Sequence, residues 1–300
     1  MIWRWFPISN GMSEFYKTTR SADWNYGGPK WKLSRSKIDL FMECPRCFYI
    51  DNKLGLARPK GPSFTLNIAV DALLKKEFDI HRAKKTPHPL MTKYGVDALP
   101  YASKDLDAWR ENFVGIQCKH KETGFLLSGA VDDIWVDPEG NLIVVDYKAT
   151  SKDGKMDSLD DTKWQTQYKR QMEVYQWLLR QKGHKVSDTG YFVYVNGKKD
   201  RAAFDGKLEF DVTLIAHKGK DNWIEAILTK IKKCLLDDRI PNYTSGCDFC
   251  NYISAMGKVL RAPTDRKEEI EKPSSKKDKK VSVKIGEDKK EVQRSTLFEL

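Results

Sequence analysis

The run Gly129-Ala130-Val131-Asp132-Asp133-Ile134-Trp135-Val136-Asp137-Pro138-Glu139-Gly140-Asn141-Leu142-Ile143-Val144-Val145-Asp146-Tyr147-Lys148 decides the fold. It predicts one strand over Phe125–Val136, a turn over Asp137–Asn141 and a second strand over Leu142–Ala149. A three-residue loop with glycine in the left-handed position is a standard hairpin connection. Pairing Asp137 with Asn141 sets Asp132 directly opposite Asp146, with Lys148 two residues further along the same face. That face also carries Ile134, Val136, Leu142 and Val144; the other carries Val131, Trp135, Ile143, Val145 and Tyr147. Both faces are largely apolar, so the hairpin is expected at the centre of an α/β fold, covered on both sides. Two carboxylates and a lysine on a buried face are costly unless they hold a cation or one another.

Working outward, Ser34 or Ser36 caps a helix whose Ile38, Leu40, Phe41 and Met42 lead into Cys44-Pro45-Arg46-Cys47. A second helix is expected from Thr65 to Arg82, with Leu66, Ala69, Val70, Leu73, Leu74 and Phe78 at helical spacing. Residues 84–112, with Pro87, Pro89 and Pro100, read as loop-rich. A long helix is expected over Leu159–Lys182, stopped by Gly183, with Gln171 and Tyr175 four apart on one face. Tyr191–Val195 and Leu208–Ile215 read as strands and Asn222–Leu236 as an amphipathic helix. Residues 1–32 form an aromatic-rich N-terminal arm expected to pack on the body. Residues 262–300 are Lys-rich, poor in large apolar side chains and expected to be disordered. The body between them is residues 33–261.

Composition narrows the function. The chain has 300 residues, 40% hydrophobic and 32% charged, which suffices for a folded core and excludes a wholly disordered chain. Its densest apolar runs, such as Leu142–Val145, are far too short to span a membrane. Met1–Pro7 is too short and interrupted for a secretory leader, so a cytoplasmic location is expected. The formal net charge is +11. Residues 262–300 hold 11 Lys/Arg against 9 Asp/Glu, so most of the excess lies on the body, where it favours a polyanionic partner such as DNA. Four of the six cysteines form two C-x-x-C pairs, Cys44/Cys47 and Cys247/Cys250. In a cytosolic chain that pattern points to a metal or a cluster rather than a disulfide framework. Cys118 and Cys234 read as core thiols. The five histidines show no ligand spacing and are expected at the surface.

Gly129-Ala130-Val131-Asp132, Asp146-Tyr147-Lys148 and Gln171-Met172-Glu173-Val174-Tyr175 follow in order. They lie between a Cys-Pro-Arg helix and a C-terminal C-x-x-C. This set resembles the PD-(D/E)XK nuclease superfamily, and within it the RecB/AddB-like branch with a four-cysteine iron–sulfur site, which includes a CRISPR-associated exonuclease family. The resemblance covers residues 33–255. It implies a restriction-endonuclease-like core, a central mixed sheet flanked by helices on both faces, with the chain ends clipped by the cysteines.

The resemblance also implies roles. Asp132 and Asp146 would bind Mg²⁺ or Mn²⁺ together with the backbone carbonyl of Tyr147, since hard oxygen ligands suit those cations. Lys148 would orient the attacking water, and Gln171 and Tyr175 would contact the strand or support the lysine. Asp71 stands where the family carries a histidine and would be a further metal ligand. Met256 stands where the family carries its last cysteine, so Cys47 would complete a Cys44/Cys47/Cys247/Cys250 set. Four thiolates can hold a 4Fe–4S cluster, which the resemblance favours, or a structural Zn²⁺, which paired C-x-x-C knuckles fit.

The expected function is a metal-dependent DNA nuclease, an end-processing exonuclease in repair, recombination or DNA uptake. The alternative is a nucleic-acid-binding module that keeps the fold and cleaves poorly. Besides DNA, a helicase and a sliding clamp are candidate partners. The clamp is suggested by Leu297-Phe298 near the tail's end, which resembles a clamp-docking peptide.

Overall fold

Ser34 sets the first helix of the body in place. It ends a two-residue strand, β1 (Leu33–Ser34), and its hydroxyl accepts the Lys37 N–H at 3.4 Å, capping α1 (Arg35–Glu43). Extended backbone at Cys44 then turns the chain into α2 (Pro45–Asn52), with proline where no N–H is required. The remaining elements follow in order: α3 (Thr65–Lys84), α4 (Pro89–Lys93), β2 (Leu99–Pro100), α5 (Leu106–Arg110), β3 (Ile116–Lys119), β4 (Leu126–Gly129), β5 (Asp133–Val136), β6 (Leu142–Thr150), α6 (Lys163–Gln181), β7 (Thr189–Gly197), β8 (Phe210–Lys218), α7 (Ile224–Leu236) and α8 (Asp248–Arg261). This computed structural model describes residues 20–261 except Lys60, Pro62 and Lys155. The chain divides into two units, Met1–Ser254 and Ala255–Leu300. The expected tail, with Leu297 and Phe298, lies outside the described residues, as do residues 1–19 of the arm. The described remainder of the arm packs as expected: Tyr26 and Trp31 meet Phe125 edge-on at 6.2 and 5.4 Å.

Five strands form a mixed sheet in the order β2-β5-β6-β7-β8, and three more form a second sheet, β1-β4-β3. β5 and β6 pair antiparallel in the expected register, Ile134 opposite Val144 and Val136 opposite Leu142. β6 and β7 run parallel, which requires a crossover, and α6 provides it. Alternation then sorts the side chains. Ile134, Leu142, Val144 and Phe192 join Met172, Leu178 and Leu179 of α6 in one core. Trp135, Ile143, Val145 and Tyr147 join Leu74 and Phe78 of α3 in another. The result is an α/β core with helices on both faces of a mixed sheet.

Several expectations need correction. The single strand over Phe125–Val136 is two strands in two sheets: the chain leaves the small sheet after Gly129 and enters the large one at Asp133. A Cβ on Gly129 would lie 2.7 Å from the Tyr175 ring, so the chain passes directly beneath α6 there. Val131 consequently packs into the α6-side core and not with Trp135. The loop-rich stretch 84–112 also holds the short elements α4, β2 and α5. His88 caps α4 with Pro89 at its first position, and Pro100 sits on the edge strand β2, where its missing N–H costs no ladder bond. The long helix begins at Lys163 and not at Leu159. On α3 the buried stripe runs through Val70, Leu74 and Phe78, while Leu66 and Leu73, on its flank, are 57% and 63% exposed. His88 and His120 are buried, not superficial. His120 Nε2 lies 2.8 Å from Glu122 and 2.7 Å from Glu225, and its Nδ1 lies 2.9 Å from the Thr123 hydroxyl.

Candidate active site and four-cysteine site

β6 carries Asp146 and Lys148 on its α6-facing side. Asp146 is completely buried; the Lys148 ammonium contacts its Oδ2, while its Oδ1 has no hydrogen-bond partner. Asp132 precedes β5, and the Tyr147 N–H donates to its Oδ2 at 2.8 Å. One backbone bond thus fixes the Asp132 carboxylate beside the strand that holds Asp146. The Lys148 ammonium reaches Gln171 Oε1 at 3.4 Å and lies 4.7 Å from the centre of the Tyr168 ring. Gln171 in turn donates to the Tyr175 hydroxyl at 3.1 Å. Asp71, on α3, pairs with Lys75 at 2.8 Å, and Lys75 approaches Asp132 Oδ1 at 4.0 Å.

The structure therefore brings together Asp71, Asp132, Asp146, Tyr147, Lys148, Gln171 and Tyr175 from one strand, the residue before β5 and two helices. Sequence reasoning missed three neighbours. Lys75 lies one helical turn beyond Asp71, Tyr168 one turn before Gln171, and the Arg35 guanidinium sits against the Tyr175 hydroxyl. The first two were findable from i,i+3 and i,i+4 spacing; Arg35 was not, because it arrives from α1. Asp133 was also missed. It is fully buried and accepts from Arg110 at 2.7 Å, from the Tyr147 hydroxyl at 2.8 Å and from Arg82. That network anchors the start of β5 one residue after Asp132.

The electrostatics follow from burial. Burial pushes the Asp146 carboxyl up to about 7; Lys148 opposes the rise and Asp132 adds to it. Burial works against the charge on Lys148, but Asp146 and Asp132 outweigh it and raise its pKa, so it stays an ammonium. Asp71 is also raised, by burial and by Asp132, against the pull of Lys75. A buried carboxylate whose only donor is one lysine, beside a second carboxylate, leaves the lone pairs of Oδ1 unsatisfied. This donor set fits a hard divalent cation such as Mg²⁺ or Mn²⁺.

The cysteines form a second site. Cys44 ends α1, Cys47 lies in the first turn of α2, and Cys247 and Cys250 bracket the start of α8. All four are buried and free of disulfides, and their sulfurs all lie within 4.8 Å of one another. Burial works against the Cys44 thiolate, yet hydrogen bonds from the Cys47 and Thr244 backbone and from neighbouring thiols bring its pKa down to about 7. Four buried sulfurs converging from segments 200 residues apart are a donor set for a thiolate-bound metal or cluster. Cys118 and Cys234 lie half-buried against the core.

A family model described as the PD-(D/E)XK nuclease superfamily matches residues 32–255. No curated protein matches the chain. A solved structure described as "Crystal structure of SSO0001" aligns with it at a TM-score of 0.36 and 14% identity, covering 74% of this chain and 84% of that one.

Proposed function

The chain belongs to the PD-(D/E)XK nuclease superfamily, and from that premise we propose that it is a metal-dependent DNA nuclease, hydrolysing phosphodiester bonds at DNA ends. The observation that carries this reading is the Asp146 carboxylate, fully buried with its Oδ1 unpartnered, beside Asp132 and in contact with Lys148 through Oδ2. Stability alone does not justify burying such a group. Repair, recombination or DNA uptake, in the cytoplasm, are the settings an end-processing nuclease fits.

Asp132 and Asp146 would hold Mg²⁺ or Mn²⁺, with the Tyr147 backbone carbonyl as a further ligand. The cation supplies Lewis-acid polarisation of the scissile phosphate and lowers the pKa of a water. The protein's own groups do the rest. Lys148, kept charged by two carboxylates, stabilises negative charge on the phosphate and orients the attacking water. Gln171 holds the lysine in place through its amide oxygen, and Tyr175 fixes that amide. The net charge of +11 draws a polyanionic strand to the site.

End-labelled DNA incubated with Mg²⁺ or Mn²⁺ tests this. The wild-type protein is expected to degrade it, and Asp146→Asn to abolish cleavage while binding survives, because phosphate contacts lie elsewhere. Unchanged cleavage by pure Asp146→Asn protein would sink the assignment. A second reading, a nucleic-acid-binding module that cleaves poorly, is favoured by Asp71, which is tied up by Lys75. It predicts wild-type protein that binds DNA and leaves it intact with either cation.

A further inference from the structure

The spacing of the four sulfurs separates a single ion from a cluster. A tetrahedral Zn²⁺ with Zn–S bonds of about 2.3 Å places its sulfur ligands about 3.8 Å apart. The Cys44–Cys250 and Cys47–Cys247 sulfurs are each 3.8 Å apart, Cys47–Cys250 are 3.3 Å apart, and no pair exceeds 4.8 Å. In a 4Fe–4S cluster each thiolate binds a different iron at a cube corner, which spreads the four sulfurs to roughly 6 Å. The residues present therefore fit one tetrahedral ion and do not fit the cluster.

The surroundings fit the same ion. Four thiolates around Zn²⁺ leave two negative charges in a buried place, and such charge needs a cationic partner. Arg58 supplies one. Its Nη2 donates to Cys247 Sγ at 3.2 Å, its Nη1 is held by Glu43 Oε1 at 3.1 Å, and its guanidinium lies 5.6 Å from the centre of the Phe249 ring. Backbone amides of Cys47 and Thr244 face the Cys44 sulfur. Leu40, Tyr243 and Phe249 pack around the sulfurs and keep water away.

We propose that Cys44, Cys47, Cys247 and Cys250 hold a single structural Zn²⁺, not an iron–sulfur cluster, and that Arg58 is the positioning residue that offsets part of the site's negative charge. The ion joins α1 and α2 to the start of α8. This does not rest on the nuclease reading, since its test is metal content.

The full chain is purified anaerobically from cells grown with both iron and zinc. The expected result is one zinc per chain, no acid-labile sulfide and a colourless protein. Replacing the zinc with Co²⁺ should give the visible bands of cobalt in a tetrahedral sulfur set. Iron and acid-labile sulfide in equal amounts, with a brown colour, would overturn the proposal. So would a folded protein without metal in which all six thiols titrate. For Arg58, competition with a chromophoric chelator is the readout. Arg58→Met should bind zinc about 10- to 100-fold more weakly, and Arg58→Lys should restore part of the loss. Wild-type zinc affinity in Arg58→Met would remove Arg58 from the site.

Discussion

At the scale of single residues, Asp146 sets the behaviour of the site with pH. Its carboxyl is raised to about 7 by burial in the metal-free protein, above the ordinary 3.8. Between those values the folded chain holds a proton that the unfolded chain has released. Stability of the metal-free protein therefore falls as pH rises through that window. A divalent cation must displace the same proton, so its binding strengthens as pH rises. Thermal melts with and without Mg²⁺ measure both. The metal-induced rise in Tm should be small near about pH 5.5 and full by about pH 8, and Asp146→Asn should flatten the difference. A metal shift of equal size at both pH values would show that Asp146 does not bind the cation. Asp132, Asp146 and Lys148 were legible because a hairpin register fixes which residues face each other. Arg35 was not, because it arrives from a helix whose placement over the sheet is decided by packing.

At the scale of elements, the contact between β4 and α6 links fold to chemistry. A methyl group on Gly129 would meet two carbons of the Tyr175 ring at 2.7 and 2.9 Å and Leu178 at 3.0 Å. Both side chains are buried and have nowhere to go. Gly129→Ala should therefore cost about 1–3 kcal/mol by overpacking, read as a lower urea midpoint with an unchanged slope. Tyr175 holds Gln171, and Gln171 holds Lys148, so the same variant should lose turnover beyond what its stability loss explains. A Gly129→Ala protein with wild-type midpoint and turnover would remove this contact from the argument. The glycine also marks a limit of sequence reading. The run from Phe125 to Val136 reads as one strand, and no proline or turn pair between them announces a change of sheet. The cause is a tyrosine on a helix that follows much later in the chain. The register of β5 and β6, by contrast, was legible because Gly140, at a φ of 80°, sets the turn locally.

At the scale of the whole molecule, the four cysteines close the longest loop in the body. The two C-x-x-C pairs were legible as pairs, but their convergence is a property of the tertiary fold. Cys44 and Cys250 stand 206 residues apart in sequence. Bringing such distant segments together costs loop entropy, which a bound metal offsets only in the folded state. Cys250→Ala should lose the metal and lower the melting temperature. The effect should reach the active site through α1, whose Asp39 accepts from Arg170 Nε on α6 at 2.7 Å and whose Arg35 sits against Tyr175. Loosening α1 withdraws support from Tyr175, then Gln171, then Lys148, while leaving Asp146 on β6 and Asp132 held by the Tyr147 N–H. Nuclease turnover should therefore fall at temperatures where most Cys250→Ala chains are still folded, and Mg²⁺ affinity should change little. Melting curves, single-temperature turnover and Mg²⁺ titration on one preparation separate these effects. If Mg²⁺ affinity is lost in parallel with turnover, the cysteine site supports the carboxylates directly and the route through α1 is wrong. If Cys250→Ala melts like the wild type, the cysteines do not clip the chain at all.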